Sequence, residues 1–475
     1  MNNKFLVTTA IPYVNAKPHV GHALEFVQAD VIKRFHTLLG ESAVLLSGSD
    51  ENALKNVQAA EKENASAQEF VDKNAVLFQD LAKNLNIDLD FFQKGSNPGH
   101  YKSSQKLWEL CNSNGDIYKK SYSGLYCLGC EQFYEKEELN ENGECFEHPG
   151  KKLEEVIEEN YFFKLSKYQS QIKEIIQNGT IKIVPESRKN EILSFIKQGL
   201  KDISISRSNT RAKNWGVPVP GDDAQRMYVW FDALNIYQSG VGFGSNEAEY
   251  EKLWPADVHV IGKGIIRFHA VYWPAFLLSA GLKLPSSLFV HGYFTVDGQK
   301  MSKTLGNVID PNDMVEAYGV DALRYYLLSQ IPSTADGDFS EKRLKEVYNA
   351  DLANGLGNLA SRVAKLCERV NLPGITMPLV LSDTVKKRLA ECDFSRALES
   401  IWEELKKADK LINENKPWEK EGKELEDILS VLSITIAQAA FDLQPFLPET
   451  AHKILSQYTN SSIKSGEPIF PRLSS

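Results

Sequence analysis

The start of the chain shows first the apolar pattern of a strand and then that of a helix. The apolar run Phe5–Ala10 predicts a short buried strand. Within Leu24–Leu38, apolar residues recur at three- and four-residue spacing, and Gly40 supplies a helix stop. A second apolar run, Ser42–Ser47, predicts the next strand. This order of strand, helix and strand indicates an open parallel sheet.

The pattern changes twice further along the chain. Residues 118–224 carry short segments rich in Gly, Cys, Lys and Glu, then a stretch rich in Ser, Arg and Pro, which is typical of an insertion. Strand-like apolar runs resume at Met227–Phe231, Val258–Ile261 and Leu288–Phe294, so we expect the first domain to be split around this insertion. Beyond Ala335–Asp338 the chain has helical periodicity and little strand character.

Composition and charge exclude several classes of function. The 475 residues suggest about three domains, and 42% apolar residues suffice for globular cores. No apolar run approaches the ~20 residues of a membrane span and no signal-peptide pattern is present, so we expect a cytoplasmic protein without membrane partners. A net charge of −9 argues against a general nucleic-acid binder but permits contact with a nucleic acid through local basic surfaces. The P-loop pattern and GxGxxG are both absent from the sequence.

Two histidines stand at the predicted strand-to-helix turn. The sequence Pro-His-Val-Gly-His places His19 and His22 where the first strand gives way to the helix. A helix N-terminus favours an anion, and imidazoles beside it add hydrogen-bond donors for phosphate oxygens. Alone, the pattern is more often a pair of incidental surface histidines.

A loop with two lysines lies far downstream. It follows the apolar segment Leu288–Val296 and the turn residues Asp297 and Gly298. Lys300 and Lys303 are three positions apart, with the hydroxyl of Ser302 between them, which indicates a mobile clamp for a polyphosphate. Alone, such a loop is more often merely solvated.

Two short-spaced pairs of metal-ligand residue types lie in the insertion. Cys127 and Cys130 are followed, after fourteen residues, by Cys145 and His148. This spacing predicts a tetrahedral zinc site that is filled by protein ligands and is therefore structural. The alternative is a set of buried thiols with a chance histidine. The remaining cysteines, which we expect in the core, are Cys111, Cys367 and Cys392.

Taken together, His-Val-Gly-His and Lys-Met-Ser-Lys-Thr resemble the HIGH and KMSKS signatures of class I aminoacyl-tRNA synthetases, each with one conservative change. Over essentially its whole length the chain also resembles the methionyl-tRNA synthetase family, in its form with a single zinc knuckle. Beyond the two signatures, the segments that carry this resemblance are 7–13, 228–234, 261–264, 268–274 and 468–471.

The resemblance implies an α/β, Rossmann-like catalytic domain that is split by a zinc-bearing connective insertion and followed by an all-α anticodon-binding bundle. It also implies a monomer, since no appended C-terminal dimerisation domain is evident. The implied domains are 1–117 (first catalytic half), 118–224 (connective insertion, with the zinc knuckle at 127–148), 225–293 (second catalytic half), 294–350 (stem-contact segment with the KMSKT loop) and 351–475 (anticodon-binding domain).

The implied reaction is a two-step acyl transfer. The carboxylate of L-methionine attacks the α-phosphate of ATP, which binds with magnesium, and methionyl-adenylate and pyrophosphate form. The terminal ribose hydroxyl of methionine tRNA, initiator or elongator, then takes the methionyl group. No protein nucleophile is needed, because position and charge stabilisation suffice. The implied catalytic residues are His19, His22, Lys300 and Lys303, which would bind ATP together with Ser302.

The resemblance also places a methionine pocket. A thioether is soft and must be recognised by shape and by sulfur–aromatic contacts. We expect Tyr13 and His269 to offer a hydrogen to the sulfur, and Asp50 to hold the ammonium group. Taken singly, each aromatic residue here is more often a core residue. The implied pocket residues are Ile11, Tyr13, Asp50, Trp230, Ala233, Leu234, Tyr237, Ile265, His269 and Trp273.

An anticodon-reading surface is implied in the helical part. Asn354, Asn358 and Arg362 are four apart and fall along one helix face, where amides and a guanidinium can bond to unstacked bases. Trp418 would offer an indole for base stacking. The alternative from spacing alone is a polar helix face and a buried tryptophan.

Two positions depart from the family pattern. Asn52 and Ala53 replace the His and Gly of the usual GTDEHG, and Gly264 replaces a common Asp.

Two other functions stay open at this point. A class I synthetase for another apolar amino acid would usually carry a larger editing insertion, and an RNA-binding zinc protein that has lost catalysis would lack the intact signatures seen here.

Overall fold

The structure is a computed structural model that describes residues 4–130, 132–134, 136–147, 150–301 and 305–473. Its strands are β1 (Lys4–Thr9), β2 (Ser42–Ser49), β3 (Phe91–Lys94), β4 (Ile117–Cys127), β5 (Gln132–Tyr134), β6 (Glu154–Phe163), β7 (Lys182–Val184), β8 (Ile203–Ser204), β9 (Ser206–Ser208), β10 (Pro218–Val219), β11 (Asp222–Met227), β12 (Val258–Gly262), β13 (Ser287–His291), β14 (Phe294–Val296), β15 (Gln299–Lys300) and β16 (Gly337–Phe339).

The α-helices are α1 (Val20–Leu38), α2 (Leu54–Lys62), α3 (Ala67–Asn84), α4 (Pro98–Ser113), α5 (Gln169–Gln177), α6 (Glu186–Lys197), α7 (Val229–Ala233), α8 (Ile236–Ser239), α9 (Glu247–Leu253), α10 (Trp273–Ala280), α11 (Pro311–Tyr318), α12 (Val320–Ser329), α13 (Glu341–Val347), α14 (Asn358–Val370), α15 (Asp383–Ala390), α16 (Phe394–Asn415), α17 (Gly422–Leu443) and α18 (Pro448–Tyr458). Short 3₁₀ helices lie at Lys136–Glu138, Leu165–Tyr168, Lys263–Ile265 and Pro417–Glu419, and π-helical segments at Phe268–Tyr272 and Tyr348–Gly357.

The chain folds into two compact units, and neither is continuous in sequence. The first comprises Met1–Pro18, Ser42–Asp80 and Leu89–His291. The second comprises His19–Glu41, Leu81–Asp88 and Gly292–Ser475.

A parallel sheet forms the centre of the first unit, with strand order β3-β2-β1-β12-β13-β7. The last four residues of β1 and all of β12 are buried, as expected for strands that are covered on both faces. The strand order reverses beside β1, and ligands bind at the carboxyl ends of the strands near such a point. The predicted strand-helix-strand start is confirmed, and so is the α/β fold class.

The predicted insertion forms sheets of its own and also contributes a strand to the central sheet. It contains two antiparallel sheets of its own, with strand orders β5-β4-β6-β8 and β10-β11-β9. One of its strands, β7, joins the central sheet beside β13, where Leu288 pairs with Ile183. A segment inside residues 118–224 therefore supplies an edge strand of the parallel sheet.

Two predicted strands differ from those observed. Met227–Phe231 was expected to be one strand, but β11 ends at Met227 and the helix α7 begins at Val229. All residues of α7, including Asp232, are buried, so the helix has no solvent-exposed face that would reveal its period. The run Leu288–Phe294 is also divided, because β13 ends at His291 and β14 belongs to the second unit.

The second unit combines a small sheet with helices. Its strand order is β15-β14-β16, and from Glu341 to Tyr458 it is a succession of helices. In α14 the apolar face, which includes Leu359, Val363 and Cys367, is buried. The prediction of a helical C-terminal part is confirmed. None of the described helices combines the length and the apolar character needed to cross a membrane.

Candidate active site

The predicted methionine-pocket residues lie in the first unit, around the carboxyl ends of neighbouring strands. Ile11 and Tyr13 follow β1, and Asp50 follows β2. Ile265 and His269 follow β12, which is the other neighbour of β1 in the sheet. The structure thus brings residues from distant parts of the sequence to the edge of the sheet where such folds bind ligands.

Backbone contacts join the ends of β1 and β2. The Asp50 N–H donates to the Pro12 carbonyl over 2.8 Å, and Tyr13 and Asp50 form an isolated parallel bridge. The Asp50 carbonyl accepts a hydrogen bond from Asn56 Nδ2 over 2.8 Å. Asp50 is buried, and a carboxylate in such a setting attracts a cation more strongly than it would in water.

Aromatic rings form one wall of the candidate pocket. Trp230 stacks on Phe268, with ring centroids 3.7 Å apart and planes 4° from parallel. Trp230 meets Tyr13 and His269 edge to face, at centroid distances of 6.3 and 6.4 Å. Ala233 and Leu234 lie at the end of the same short helix, α7. Most of this surface is apolar and rigid, as thioether recognition requires.

Tyr237, His269 and Trp273 are almost completely buried. Tyr237 Oη lies 2.7 Å from His269 Nε2, and His269 Nδ1 lies 2.9 Å from the Ile265 carbonyl oxygen. Burial lowers the pKa of His269 to about 4, so the ring is neutral at pH 7. A carbonyl only accepts, so the proton of His269 is on Nδ1 and Tyr237 donates to Nε2. The expectation that His269 offers a hydrogen to the sulfur stays a prediction.

The two signature histidines lie in the second unit, at the start of α1. His19 is the N-cap, and its Nδ1 accepts from the Gly21 N–H over 3.0 Å. His22 Nδ1 accepts from the His19 N–H over 3.1 Å, which completes a capping box. Burial lowers the pKa of His19 to about 4 and that of His22 well below its usual range. Both rings are therefore neutral at pH 7, and each carries its proton on Nε2.

The same unit brings Ile309, in the segment that follows the second signature, to the start of this helix. The Val20 N–H donates to the Ile309 carbonyl over 3.2 Å. The hairpin of β14 and β15 turns at Asp297 and Gly298, both with positive φ, and ends at the exposed Lys300. Ser302 and Lys303 lie outside the described residues.

The three predicted cysteine ligands converge in the first unit. The sulfur atoms of Cys127, Cys130 and Cys145 lie within 4.8 Å of one another. Cys145 Sγ is 3.3 Å from Cys127 Sγ and 3.7 Å from Cys130 Sγ. Tetrahedral coordination with Zn–S bonds of about 2.3 Å would separate sulfur atoms by about 3.8 Å. The cluster fits a metal ion, while His148 lies outside the described residues.

Of the predicted anticodon residues, the structure brings Arg362 and Trp418 into contact. Asn354 and Asn358 are exposed, and the Arg362 guanidinium lies 4.8 Å from the centre of the Trp418 ring. Trp418 is 43% exposed, which contradicts the alternative of a buried core residue. The Arg369 guanidinium contacts the Trp418 carbonyl over 3.3 Å and so supports this turn.

Comparison with known proteins decides the family. The profile described as tRNA synthetases class I (M) matches residues 5–364. The methionine–tRNA ligase of Brucella suis biovar 1 (strain 1330) is 41% identical over 471 residues, which cover 95% of this chain and 91% of that protein. The chain belongs to the methionyl-tRNA synthetase family. It is thus related to ATP-dependent ligases that serve translation.

Further members of the family agree with this assignment. The methionine–tRNA ligase of Fusobacterium nucleatum subsp. nucleatum is 40% identical, with 96% of this chain and 74% of that protein covered. A solved structure of Mycobacterium tuberculosis methionyl-tRNA synthetase in complex with methionyl-adenylate matches with a TM-score of 0.92 and 36% identity. That match covers 99% of this chain and 100% of the other.

The first departure from the methionyl-tRNA synthetase pattern has a structural explanation. Asn52 is buried, and its Nδ2 donates to Asp232 Oδ2 over 2.6 Å and to the Gly95 carbonyl over 2.9 Å. Its Oδ1 accepts from the Tyr101 hydroxyl over 3.0 Å. Every polar group of this amide is used, so the turn after β2 is closed without the family's usual histidine.

Gly264, the second departure, lies in the 3₁₀ turn Lys263–Ile265 and is exposed. Nothing among the described residues explains the loss of the family's usual carboxylate there.

Sequence reasoning missed several contributors to this site. Phe268 stacks on Trp230, and Lys55 Nζ lies 3.0 Å from the centre of the Tyr13 ring. His259 is buried on β12, with its Nδ1 2.6 Å from Thr8 Oγ1 and its ring 4.3 Å from that of Tyr237. Phe268 lies in a segment that carries the family resemblance, but no local pattern in the sequence pairs the other residues with the pocket.

Proposed function

We propose that this chain activates L-methionine with ATP and transfers it to methionine tRNA, with the residue roles given below. The observation that carries the proposal is the aromatic and imidazole cluster around Trp230 and His269, which lies at the ligand-binding edge of a methionyl-tRNA synthetase fold. Its chemistry suits a thioether, which offers almost nothing to a hydrogen-bonding site.

Methionine is held by charge at one end and by shape at the other. The Asp50 carboxylate binds the ammonium group, and Trp230 and Tyr13 present ring surfaces to the side chain. Tyr237 and His269 bond to each other, so their polar atoms are already engaged and the pocket presents a neutral wall. The other residues that complete it are Ile11, Ala233, Leu234, Ile265 and Trp273.

Adenylate formation depends on stabilising charge as it develops on phosphate oxygens. His19 and His22 would donate from Nε2 to the triphosphate, beside the N-terminus of α1, whose dipole favours an anion. Lys300, Ser302 and Lys303 would hold the leaving pyrophosphate. Magnesium, which arrives with ATP, neutralises part of the phosphate charge when bound. The protein contributes position and electrostatics rather than a nucleophile.

Selection of tRNA is assigned to the helical part of the second unit. The half-exposed Trp418, capped by the Arg362 guanidinium, offers a flat surface for an unstacked base. Asn354 and Asn358 supply amides on the same helix face for reading base edges. Initiator and elongator methionine tRNAs share the anticodon, so this surface would accept both.

Zinc is the metal proposed for the cysteine cluster, with His148 as the fourth ligand. Three thiolates and an imidazole are a donor set that favours zinc and leaves no position open for substrate. The role of the ion is therefore to hold the knuckle in shape.

We propose that these tasks are divided among five domains, with the boundaries 1–117, 118–224, 225–293, 294–350 and 351–475. We also propose that the enzyme works as a monomer in the cytoplasm, where tRNA is charged. Light scattering of the purified chain gives its mass in solution and so tests whether it is a monomer.

Amino-acid-dependent exchange of pyrophosphate into ATP tests the proposed reaction. Purified protein is assayed with each of the twenty amino acids, without tRNA. We expect exchange with methionine and at most weak exchange with the others. Strong exchange with another apolar amino acid would assign a different specificity, and no exchange with any would favour an RNA-binding protein that has lost catalysis.

A further inference from the structure

A buried carboxylate lies directly behind the candidate methionine pocket. Asp232 on α7 is almost completely excluded from solvent and bonds to three side chains. Its Oδ2 accepts from Asn52 Nδ2 over 2.6 Å. Its Oδ1 lies 2.7 Å from His100 Nε2 and 3.0 Å from Ser104 Oγ. Hydrogen bonds to a charged group are the strong ones in proteins, and a buried carboxylate depends on them.

The partners of Asp232 are themselves fixed. The Asn52 amide uses its second N–H on the Gly95 carbonyl and its oxygen on Tyr101, so it has a single orientation. His100 Nδ1 lies 2.7 Å from Ser239 Oγ, which determines the plane of the imidazole ring. A network in which every member is satisfied is rigid.

The two ends of the Asn52–Asp232 contact belong to opposite parts of the pocket. Asn52 is two residues after Asp50, in the turn that follows β2. Asp232 is two residues after Trp230 and immediately before Ala233, on α7. One hydrogen bond of 2.6 Å therefore links the segment that carries the ammonium-binding carboxylate to the helix that carries the aromatic wall.

We propose that Asn52 and Asp232 are positioning residues that determine the affinity for methionine by fixing Asp50 relative to Trp230. The proposal rests on the proposed function. Neither residue is a catalytic residue, because each acts through a neighbour in sequence. Asn52 stands where the family usually has histidine, and an imidazole N–H could make the same donation to Asp232. The replacement of a histidine N–H donor by the Asn52 amide would then keep the hydrogen bond to Asp232, although the side chain differs.

The test compares Asn52→Leu, Asn52→His and Asp232→Asn in methionine-dependent pyrophosphate exchange. Asn52→Leu removes the link with little change in volume, so we expect the KM for methionine to rise about tenfold or more, the order expected for losing a hydrogen bond to a charged group. The KM for ATP should stay within about twofold. Asn52→His should restore most of the affinity for methionine.

Asn114→Leu is the matched control, because Asn114 bonds to Asp116 and Tyr168 in the same unit and contacts none of the pocket residues in the bonds described. It should leave both KM values unchanged. Quenching of tryptophan fluorescence by L-methionine gives the binding constant without ATP and should follow the same order among the variants.

The outcomes separate the positioning role from a general structural role. Equal proportional changes in the KM for methionine and for ATP, or failure of Asn52→His to improve on Asn52→Leu, would overturn the proposal. Should Asn52→Leu fail to fold, Asp232→Asn takes its place, because it keeps the volume, removes the charge and turns one of the two acceptor oxygens into a donor. The KM for methionine should then rise in the same way. If the unaltered enzyme shows no exchange with methionine, the proposed function fails instead, which is a different result.

Discussion

Asp30 and Arg324 form an ion pair in which both side chains are completely excluded from solvent, with Oδ2 and Nη2 2.6 Å apart. The other N–H groups of the Arg324 guanidinium donate to the carbonyls of Leu85, Pro445 and Phe446. Asp30 also accepts from Arg34 and from the Asp88 N–H. Because Asp30 lies on α1 and Pro445 lies just after α17, the pair joins the signature helix to the helical part of the same unit.

Arg324→Met should therefore destabilise the fold strongly. It leaves the Asp30 carboxylate buried without its guanidinium, and breaking such a pair costs about 3–5 kcal/mol. The free energy of unfolding from urea titration measures this. Arg343→Met is the control, since the Arg343–Glu346 pair is exposed and should contribute less than about 1 kcal/mol. Similar losses in both variants would contradict the importance of the buried pair.

The neutral His269 predicts a pH dependence of stability. Its pKa is lowered by burial from 6.5 to about 4, so between these values the unfolded chain binds a proton that the folded chain does not. The contribution is fully present above pH 6.5 and is lost as the pH falls towards 4, by about 3 kcal/mol in total. His269→Gln should flatten the fall in unfolding free energy between pH 7 and 5, as measured by urea titration at each pH.

Lys303→Ala should lower kcat for adenylate formation more than it raises the KM for ATP. The lysine would stabilise charge that develops on pyrophosphate, which is greater in the transition state than in the ground state. Stopped-flow or exchange kinetics measure both constants. Lys300→Ala should act in the same direction but more weakly, and Lys342→Ala, which alters an exposed lysine of α13, should have no effect. Activation by Lys303→Ala at the unaltered rate would remove this residue from the clamp.

The purified chain should contain about one zinc ion. The three cysteines already lie close enough to share an ion, and protein ligands fill the proposed site completely. Elemental analysis measures the content, which Cys145→Ala should reduce and Cys392→Ala should not. Removal of zinc by a chelator should impair aminoacylation more than tRNA-independent exchange, because the site is structural. Zinc-free protein from a chelator-free purification would contradict the assignment.

Trp418→Ala should separate the two activities. Loss of the stacking surface should lower kcat/KM for charging methionine tRNA by about 10-fold or more, from stacking energies of about 1–3 kcal/mol. Exchange of pyrophosphate without tRNA should stay near its original rate. Trp418→Phe keeps an aromatic ring and should retain most of the activity. Unaltered charging and unaltered anticodon preference in Trp418→Ala would place the anticodon surface elsewhere.

Local pattern was sufficient for the elements at the start of the chain. The predictions Phe5–Ala10 and Ser42–Ser47 differ by at most two residues at either end from the strands Lys4–Thr9 and Ser42–Ser49. The stop at Gly40 agrees with the end of α1 at Leu38. The spacing of apolar residues and the position of a glycine determine local structure over a few residues. The elements can therefore be predicted without knowing what the segment packs against.

The histidine pair and the cysteine cluster could also be predicted from the sequence. His19 and His22 are three apart and therefore meet at one helix start, where each ring caps a backbone N–H. Cys127 and Cys130 lie on a tight turn and need only Cys145 to approach them. Short spacing determines such geometry, because the chain between the groups is too short to allow many alternatives.

Only the tertiary structure decided how distant segments combine. The apolar run from Leu288 is divided at Gly292, where a Cβ would lie 2.3 Å from the Ala335 carbonyl oxygen. The strand β7 leaves the insertion to join the central sheet, and Asn52 finds its partner in Asp232, far along the chain. Such contacts depend on which side chains remain buried and unsatisfied once the layers have packed, and that is a property of the whole fold rather than of any segment.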